Sequence, residues 1–280
     1  MKFTQLSRSK SMFTVTGYIV ASIYALIVLI PLYYIFVSAF KSNSEIFGSA
    51  LSFPESFSLV NFFKAEKTAD LTSAMLTSLL VTTLSELVAL LLGFPAAYAI
   101  ARIRTKLTKW VAGFFSIGFL IPAFAMMVPV LVMVSKMGLL YSPLALVVFY
   151  PAWRLPFTVI VMVSYLKTVP RELEESAEID GASRFSMLWH IFFPLTTPGL
   201  ITVVILNFIS IWNEFLFALI LLSQKSRTIQ VAISLLKSER LVDYGMLTAG
   251  VLFSIVPILI VFFIFQRRII GGTYVGAVKG

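Results

Sequence analysis

The sequence contains no cysteine, which excludes disulfide bonds, a thiol nucleophile and a thiolate metal site. It contains one histidine, His190, which cannot build a metal site alone. Charge is also scarce, because 12% of the 280 residues are charged whereas 59% are hydrophobic, and the mean hydropathy is +0.96. A soluble domain of this length needs far more charge to cover its surface. These shortages indicate a membrane protein.

A nucleotide-binding loop is also absent. No G-x-x-x-x-G-K-[ST] segment occurs, so the chain cannot bind ATP in the manner of that loop. Any energy from ATP must therefore come from a partner. The net charge of +9 does not indicate a nucleic-acid partner, since basic residues collect in the cytoplasmic loops of membrane proteins.

Long apolar blocks are what the sequence does contain, and each is long enough for a helix to cross a hydrocarbon layer of ~30 Å. Several of these blocks include proline, which neighbouring helices of a bundle tolerate. The first block is too long for a signal peptide, so we expect it to be retained. The sequence predicts an all-α, multi-pass membrane protein with one domain over residues 1–280 and a core over residues 74–266. Six spans are predicted: Val15–Ser38, Ala74–Ile100, Trp110–Val134, Pro143–Tyr165, Leu195–Leu222 and Leu247–Phe265.

The distribution of basic residues predicts the orientation. Six spans place both termini on one side, and that side then carries thirteen Lys and Arg residues against eight on the other. The short second loop contributes Arg102, Arg104, Lys106 and Lys109 without any acid. Because basic loops stay in the cytoplasm, we predict that both termini are cytoplasmic.

The fourth loop, residues 169–194, is unlike its surroundings, since it holds five of the thirteen acidic residues. Pro170 suits the first position of a helix, and acids in the first turn favour its positive end. Gly181 suits a left-handed turn after that helix, and Ser183 suits the N-cap of a second one. We predict two short helices joined at Gly181 on the cytoplasmic surface, with the apolar face of the second formed by Phe185, Leu188, Trp189 and Phe192.

This loop resembles the cytoplasmic signature of the membrane subunits of ATP-binding-cassette importers, E-A-A-x-x-x-G-x(9)-I-x-L-P. The sequence departs from it at Ser176, which stays small, and at Phe193, which stays apolar. The segments 179–182, 97–102, 212–215 and 276–280 are similar to elements of the carbohydrate branch, the maltose-type permeases. The residues at the signature positions are Glu175, Ser176, Ala177, Gly181, Ile191, Phe193 and Pro194.

The resemblance implies a permease subunit with the type I importer fold, in a bacterial plasma membrane, that imports a sugar or sugar-like solute. The implied partners are a second homologous permease subunit, two ATP-binding subunits that hold ATP and magnesium, an extracytoplasmic solute-binding protein and membrane lipid. The chain itself is then not an enzyme, binds no cofactor or metal and has no catalytic residue.

The resemblance also implies that residues 169–194 dock in a cleft of an ATP-binding subunit. Glu175 would pair with a basic group there, Gly181 would permit close approach, and apolar contacts would come from Leu173, Ala177 and Phe185. A C-terminal contact by Gly276, Lys279 and Gly280 is suggested too, although a glycine-rich end is often only disordered. The residues implied in coupling are Glu175, Ser176, Ala177, Asp180, Gly181, Ala182, Phe185, Ile191 and Pro194.

Polar residues inside the predicted spans are costly in a bilayer and usually face an interior. They either line a polar translocation path, with Trp212, Trp153 or Tyr150 stacking on a sugar, or form hydrogen bonds between helices. In maltose-type transporters the other membrane subunit holds most of the sugar. The candidate path residues are Glu86, Arg154, Asn207, Trp212, Asn213 and Glu214.

Three other classes of protein were weighed against this interpretation. An ion- or proton-coupled secondary transporter could use Glu86 and Arg154 as ion sites, but it would not need the fourth loop. A membrane-embedded enzyme needs a nucleophile–base pair or a metal site, and the sequence offers neither. A simple channel leaves the acid-rich loop unexplained.

Overall fold

The computed structural model describes residues 2–237 and 242–277. Within these ranges the chain forms helices and one isolated bridge between Tyr141 and Leu222, and no strand, so the all-α prediction is confirmed. The α-helices are α1 (Lys2–Ser38), α2 (Asn43–Gly48), α3 (Val60–Ala69), α4 (Leu71–Arg102), α5 (Lys106–Leu120), α6 (Met127–Lys136), α7 (Pro143–Thr168), α8 (Arg171–Ile179), α9 (Arg184–Met187), α10 (Phe193–Leu195), α11 (Thr197–Trp212), α12 (Leu216–Leu221), α13 (Ile229–Ser234) and α14 (Tyr244–Ala277).

Four predicted spans correspond to single helices that are long and apolar enough to cross a bilayer. Their spanning segments are Val15–Ser38, Leu71–Arg102, Pro143–Thr168 and Tyr244–Gln266. Two further spans are possible if each of two bent helix pairs crosses once. The described residues therefore contain four to six candidate spans.

The third predicted span, Trp110–Val134, is not one helix. Lys106–Leu120 and Ala123–Lys136 meet at an angle of 98°. Ile121 between them is extended, with φ −73° and ψ 119°. The proline that follows, Pro122, disfavours helical geometry in the residue before it and cannot donate a backbone hydrogen bond. The predicted span is therefore broken at Pro122, and it remains one span if the bent pair crosses once.

The fifth predicted span, Leu195–Leu222, is also interrupted. It consists of α11, which ends at Trp212, and of α12, which starts at Leu216. The N–H groups of Phe217 and Ala218 donate to the Glu214 carboxylate at 2.9 and 3.1 Å. These bonds supply acceptors for the start of a new helix, so the chain stops one helix and begins another within an apolar run.

The contacts divide the chain into two compact units, which are described separately. Unit 1 contains Met1–Asp70 and Ile233–Phe253, and unit 2 contains Leu71–Ala232 and Ser254–Gly280. The prediction of one domain over residues 1–280, with a core over 74–266, stays a prediction.

Unit 1 orders the segment after the first span through side-chain bonds to the backbone. Lys41 is 1% exposed, and its Nζ donates to the Ser49 carbonyl at 3.0 Å and to Ser52 Oγ at 3.1 Å. Asn43 donates to the Val242 carbonyl at 2.9 Å, which connects this segment to the start of α14. Side-chain hydrogen bonds therefore order the segment between α1 and α3.

Unit 2 is built on α4, α7 and α11, with α5 against α7. Gly93 of α4 faces Thr158 of α7, and a Cβ added to that glycine would lie 2.6 Å from Thr158 Cγ2. Small residues let membrane helices approach closely, so Gly93 sets the separation of these two helices. The largest fully buried side chains here include Phe94, Tyr150, Phe192 and Trp212.

Candidate functional site

The fourth loop, which we call the signature loop (residues 169–194), begins with α8. Its helix starts at Arg171 rather than at Pro170, which occupies the N-cap position. Gly181 follows with φ +81°, the left-handed conformation that glycine adopts without strain. Gly181 N donates to the Glu178 carbonyl at 3.1 Å, and Ala182 N donates to the Ala177 carbonyl at 2.9 Å. This pair of bonds is the Schellman motif, and it confirms the predicted turn at Gly181.

The second half of the signature loop starts at Ser183, whose Oγ accepts from Ser186 N at 3.2 Å. After α9, residues Leu188–Phe192 widen into a π-helical turn. Phe193 N donates to the Leu188 carbonyl five residues earlier, and Pro194, which follows, has no N–H to donate. The predicted second helix is therefore present, with a wide turn in place of regular α-helical spacing.

The predicted coupling residues fall into three groups by exposure. Glu175, Ser176, Asp180, Gly181, Phe185 and Pro194 are exposed, and Ala182 and Ile191 are half-buried. Ala177 is 8% exposed and packs in the hydrophobic core of this chain, so its position does not fit a contact with a partner. Leu173 and Phe185 are 45% and 74% exposed, and their contact with a partner stays a prediction.

The predicted apolar face of the second helix is also divided. Leu188 and Phe192 are buried, and Phe192 packs against Tyr98 with ring centroids 5.0 Å apart. Trp189 is half-buried and contacts Phe185 and Phe193, at 6.3 and 5.5 Å between ring centroids. Leu188 and Phe192, four residues apart, thus face the core, whereas Phe185 and Trp189, also four residues apart, form the more exposed edge.

Three of the polar residues singled out in the spans meet one another. Asn207 of α11 is fully buried, and its Oδ1 accepts from Arg154 Nε at 2.8 Å. Its Nδ2 lies 3.0 Å from Thr158 Oγ1 and 3.4 Å from Glu86 Oε1. We call these four residues the span cluster. It connects α4, α7 and α11 through the single amide of Asn207.

The two charged residues of the span cluster are Arg154 and Glu86. The Arg154 guanidinium lies 4.7 Å from the ring centroid of Phe157 and 5.3 Å from that of Trp153, both within reach of a cation–π contact. Glu86 Oε2 accepts no hydrogen bond from the part of the chain that the structure describes. Sequence reasoning missed Thr158, although its position four residues after Arg154 places both on one helix face.

The other three candidate path residues lie at the break between α11 and α12. Glu214 accepts from the Tyr150 hydroxyl at 2.5 Å, besides capping α12. Trp212 is 1% exposed, donates from Nε1 to the Ser254 carbonyl at 3.2 Å and stacks on Phe208. Both side chains thus use their polar atoms within the chain.

Asn213 differs from its two neighbours at the break because its side chain is exposed. It donates to the Ile209 carbonyl at 2.8 Å and accepts from Gln230 Nε2 at 3.3 Å. Beside the break, a cavity of about 90 Å³ is lined by Trp153 and Glu214 among others. The structure thus places an aromatic ring and a carboxylate together at this point.

Two remaining parts of the sequence prediction are the C-terminal contact and the absence of a metal site. Lys279 and Gly280 lie outside the described residues, so the contact of Gly276, Lys279 and Gly280 with an ATP-binding subunit stays a prediction. Within the described residues, no group of three or more His, Asp or Glu side chains is arranged to hold a metal ion.

Comparison with known proteins gives a consistent result. The family model described as "Binding-protein-dependent transport system inner membrane component" matches residues 89–270. The chain is 33% identical over 263 residues to the probable ABC transporter permease protein YurM of Bacillus subtilis, covering 92% of this chain and 86% of that protein. It is 32% identical over 276 residues to the melibiose/raffinose/stachyose import permease protein MelC of the same organism, covering 98% and 99%.

A further relative is the diacetylchitobiose uptake system permease protein NgcG of Streptomyces coelicolor, 30% identical over 260 residues, covering 92% of this chain and 86% of that protein. Among solved structures, the fold matches a chain of a bacterial ABC transporter involved in the import of the polysaccharide alginate. The TM-score is 0.80 at 22% identity, and the match covers 93% of this chain and 97% of that one.

Proposed function

This chain belongs to the family of binding-protein-dependent transport system inner membrane components, and on that premise we propose that it moves a carbohydrate across the membrane. The family makes it a multi-pass permease subunit of an ABC importer, and ATP hydrolysis resides in partner subunits. Membership also decides against the ion-coupled secondary transporter that the sequence left open.

The carbohydrate class is supported by relatives. MelC is named for melibiose, raffinose and stachyose, and NgcG for diacetylchitobiose. A multiple sugar-binding transport system permease protein of Streptococcus mutans is 33% identical over 267 residues. We propose an oligosaccharide as the solute, delivered by an external binding protein, because a solved structure of the same fold carries a pentasaccharide-bound periplasmic protein.

We propose that the signature loop is the surface on which one of two ATP-binding subunits docks. The main observation that supports this proposal is the turn at Gly181, which is exposed. No other group lies within 4 Å of the position that a Cβ would occupy there. Glu175 and Asp180 flank that turn and are exposed, so a basic cleft would attract them. A second homologous permease subunit and membrane lipid complete the assembly in this proposal.

Gly181→Asn tests the docking proposal. Asparagine tolerates the left-handed conformation, so the turn persists while a side chain fills the open space. Gly138 is a matched control because its φ is +70° and it is equally open, but it lies in the loop between α6 and α7. We expect Gly181→Asn to reduce ATP-dependent uptake roughly tenfold or more, a loss of about 1.4 kcal/mol in coupling, and Gly138→Asn to retain it.

Both variants are compared as complete transporters in proteoliposomes with the binding protein and solute. The amount of inserted permease is measured for each, so that lost uptake is not confused with lost protein. Wild-type uptake by Gly181→Asn, at equal insertion, would contradict the docking proposal.

We also propose that both termini and the signature loop are cytoplasmic. The chain has no cysteine, so Glu178→Cys introduces a single reactive thiol on the exposed side of α8. We expect an impermeant maleimide to label this thiol in inside-out vesicles only. Labelling from the outside of intact cells would reverse the proposed orientation.

For the solute path, we propose that the span cluster chiefly holds α4, α7 and α11 together, since the Asn207 amide bonds to the other three side chains. The exposed Asn213 is then the side chain offered to a solute. Asn213→Ala should raise the KM for uptake while leaving the amount of folded permease unchanged, and an unchanged KM would exclude Asn213 from the path.

A further inference from the structure

Arg102 is the last residue of α4, and its side chain is 4% exposed although it belongs to the basic second loop. Its Nη2 donates to the Leu166 carbonyl at 2.5 Å and to the Val169 carbonyl at 2.7 Å. Both carbonyls lie at the end of α7, where the helix runs out of intrahelical donors. A cation at a helix C-terminus also interacts favourably with the helix dipole. Arg102 therefore joins the end of α4 to the end of α7.

The same guanidinium contacts both halves of the signature loop. Its Nη1 lies 3.5 Å from Glu174 Oε2 on α8, and its central carbon lies 4.7 Å from the ring centroid of Phe192 in the π-turn. Glu174 is itself only 19% exposed, so this pair is screened less than a surface ion pair. A planar guanidinium can donate in several fixed directions at once, which the ammonium of a lysine cannot reproduce.

The apolar contacts of the signature loop do not give this directional control. Ala177, Leu188 and Phe192 pack in the core of the chain, but apolar packing is not directional and permits sliding. Arg102 instead fixes α8 and the π-turn to two particular carbonyls of α7. A force applied to α8 is then transmitted to the ends of α4 and α7 together.

We propose that Arg102 is a positioning residue that makes the signature loop and the ends of α4 and α7 move as one body. This inference rests on the proposed function, in which an ATP-binding subunit displaces the signature loop. It assigns Arg102 a role in coupling beyond that of a basic residue that keeps its loop in the cytoplasm.

The direct test is a distance measurement within the complete transporter. The chain has no cysteine, so Lys167→Cys and Glu178→Cys place spin labels on the exposed ends of α7 and α8, with partner subunits free of reactive cysteines. We expect the label distance to be the same with and without ATP and vanadate. In the Arg102→Ala background we expect the distance distribution to broaden and to differ between the two nucleotide states.

The second readout is solute transported per ATP hydrolysed, which a merely stabilising role would not change. We expect Arg102→Ala to lower this ratio roughly tenfold, within the range that contacts in coupled networks produce. Arg104→Ala is the matched control, since Arg104 is an exposed arginine in the same loop and should keep the wild-type ratio.

Glu174→Gln keeps the test valid if Arg102→Ala does not assemble. It removes the negative charge and so weakens the contact to α8, but it leaves both carbonyl bonds, so α7 stays capped, and we expect a roughly twofold lower ratio with a broadened label distance. A constant distance together with an unchanged ratio in the Arg102→Ala or Glu174→Gln transporter would overturn the inference. Absence of binding-protein-dependent ATP hydrolysis in the wild type would instead overturn the proposed function.

Discussion

Replacing Asn207 by alanine should loosen unit 2 more than any other single asparagine substitution in the spans. The side chain is fully buried and makes three contacts, at 2.8, 3.0 and 3.4 Å, to Arg154, Thr158 and Glu86. Interhelical hydrogen bonds in membrane proteins contribute about 0.6 kcal/mol each on average. Groups that lose a buried partner add about 1–3 kcal/mol.

The expected loss in free energy of unfolding for Asn207→Ala is therefore about 2–4 kcal/mol. Near the midpoint, each kcal/mol shifts Tm by about 2–4 °C for a unit of this size, so Tm should fall by at least about 4 °C. The assay is thermal unfolding of purified permease in lipid nanodiscs, followed by intrinsic tryptophan fluorescence.

Asn213→Ala is the control for Asn207→Ala because it makes the same substitution at an exposed side chain in the same segment. We expect its effect to stay within about 0.5 kcal/mol. If both variants unfold at the wild-type temperature, or shift by equal amounts, the span cluster does not hold α4, α7 and α11 together.

Two further predictions use the same unfolding assay. Gly93→Ala should destabilise by about 1–3 kcal/mol, because its Cβ would meet a buried threonine of α7. Gly113→Ala in α5, the control at an open site, should stabilise by up to about 1 kcal/mol. A Gly93→Ala variant at least as stable as the wild type would show that α4 and α7 can separate freely. Glu214→Gln should cost about 1–2 kcal/mol by weakening the cap of α12. Tyr150→Phe, which keeps that cap, should cost about 1 kcal/mol; equal losses would contradict a capping role for Glu214.

Local signals explain why the signature loop was predictable. Gly181 and Ser183 act within a few residues of themselves, through a left-handed turn and an N-cap, and both appear as predicted. Burial of Ala177 was not predictable in the same way, because it depends on which face of α8 meets the rest of the chain.

Proline shows where the sequence stops being informative about the spans. Pro95 and Pro257 lie inside the continuous helices α4 and α14, whereas the chain bends by 98° at Pro122. The residue is the same in all three places. Whether a helix survives depends on neighbouring groups that re-satisfy the backbone, and those are fixed only by packing.

Three members of the span cluster were predicted from the sequence, but the hydrogen bonds between them were not. Glu86, Arg154 and Asn207 were conspicuous because polar residues are rare in apolar runs. Their meeting depends on the rotation and register of three helices, which a single sequence does not specify. The break at Glu214 was hidden for another reason, since apolar residues on both sides resemble one uninterrupted span.

The contacts of Arg102 have a consequence for biosynthesis. The Leu166 carbonyl lies 64 residues later in the chain, so it does not exist when α4 leaves the ribosome. At roughly 5–20 residues per second, the guanidinium waits about 3–13 s for its acceptors. During that interval it is hydrated at the membrane surface, where, in the proposed orientation, its charge would retain the second loop on the cytoplasmic side. The arginine would then first orient a nascent helix hairpin and later become an internal part of the finished subunit.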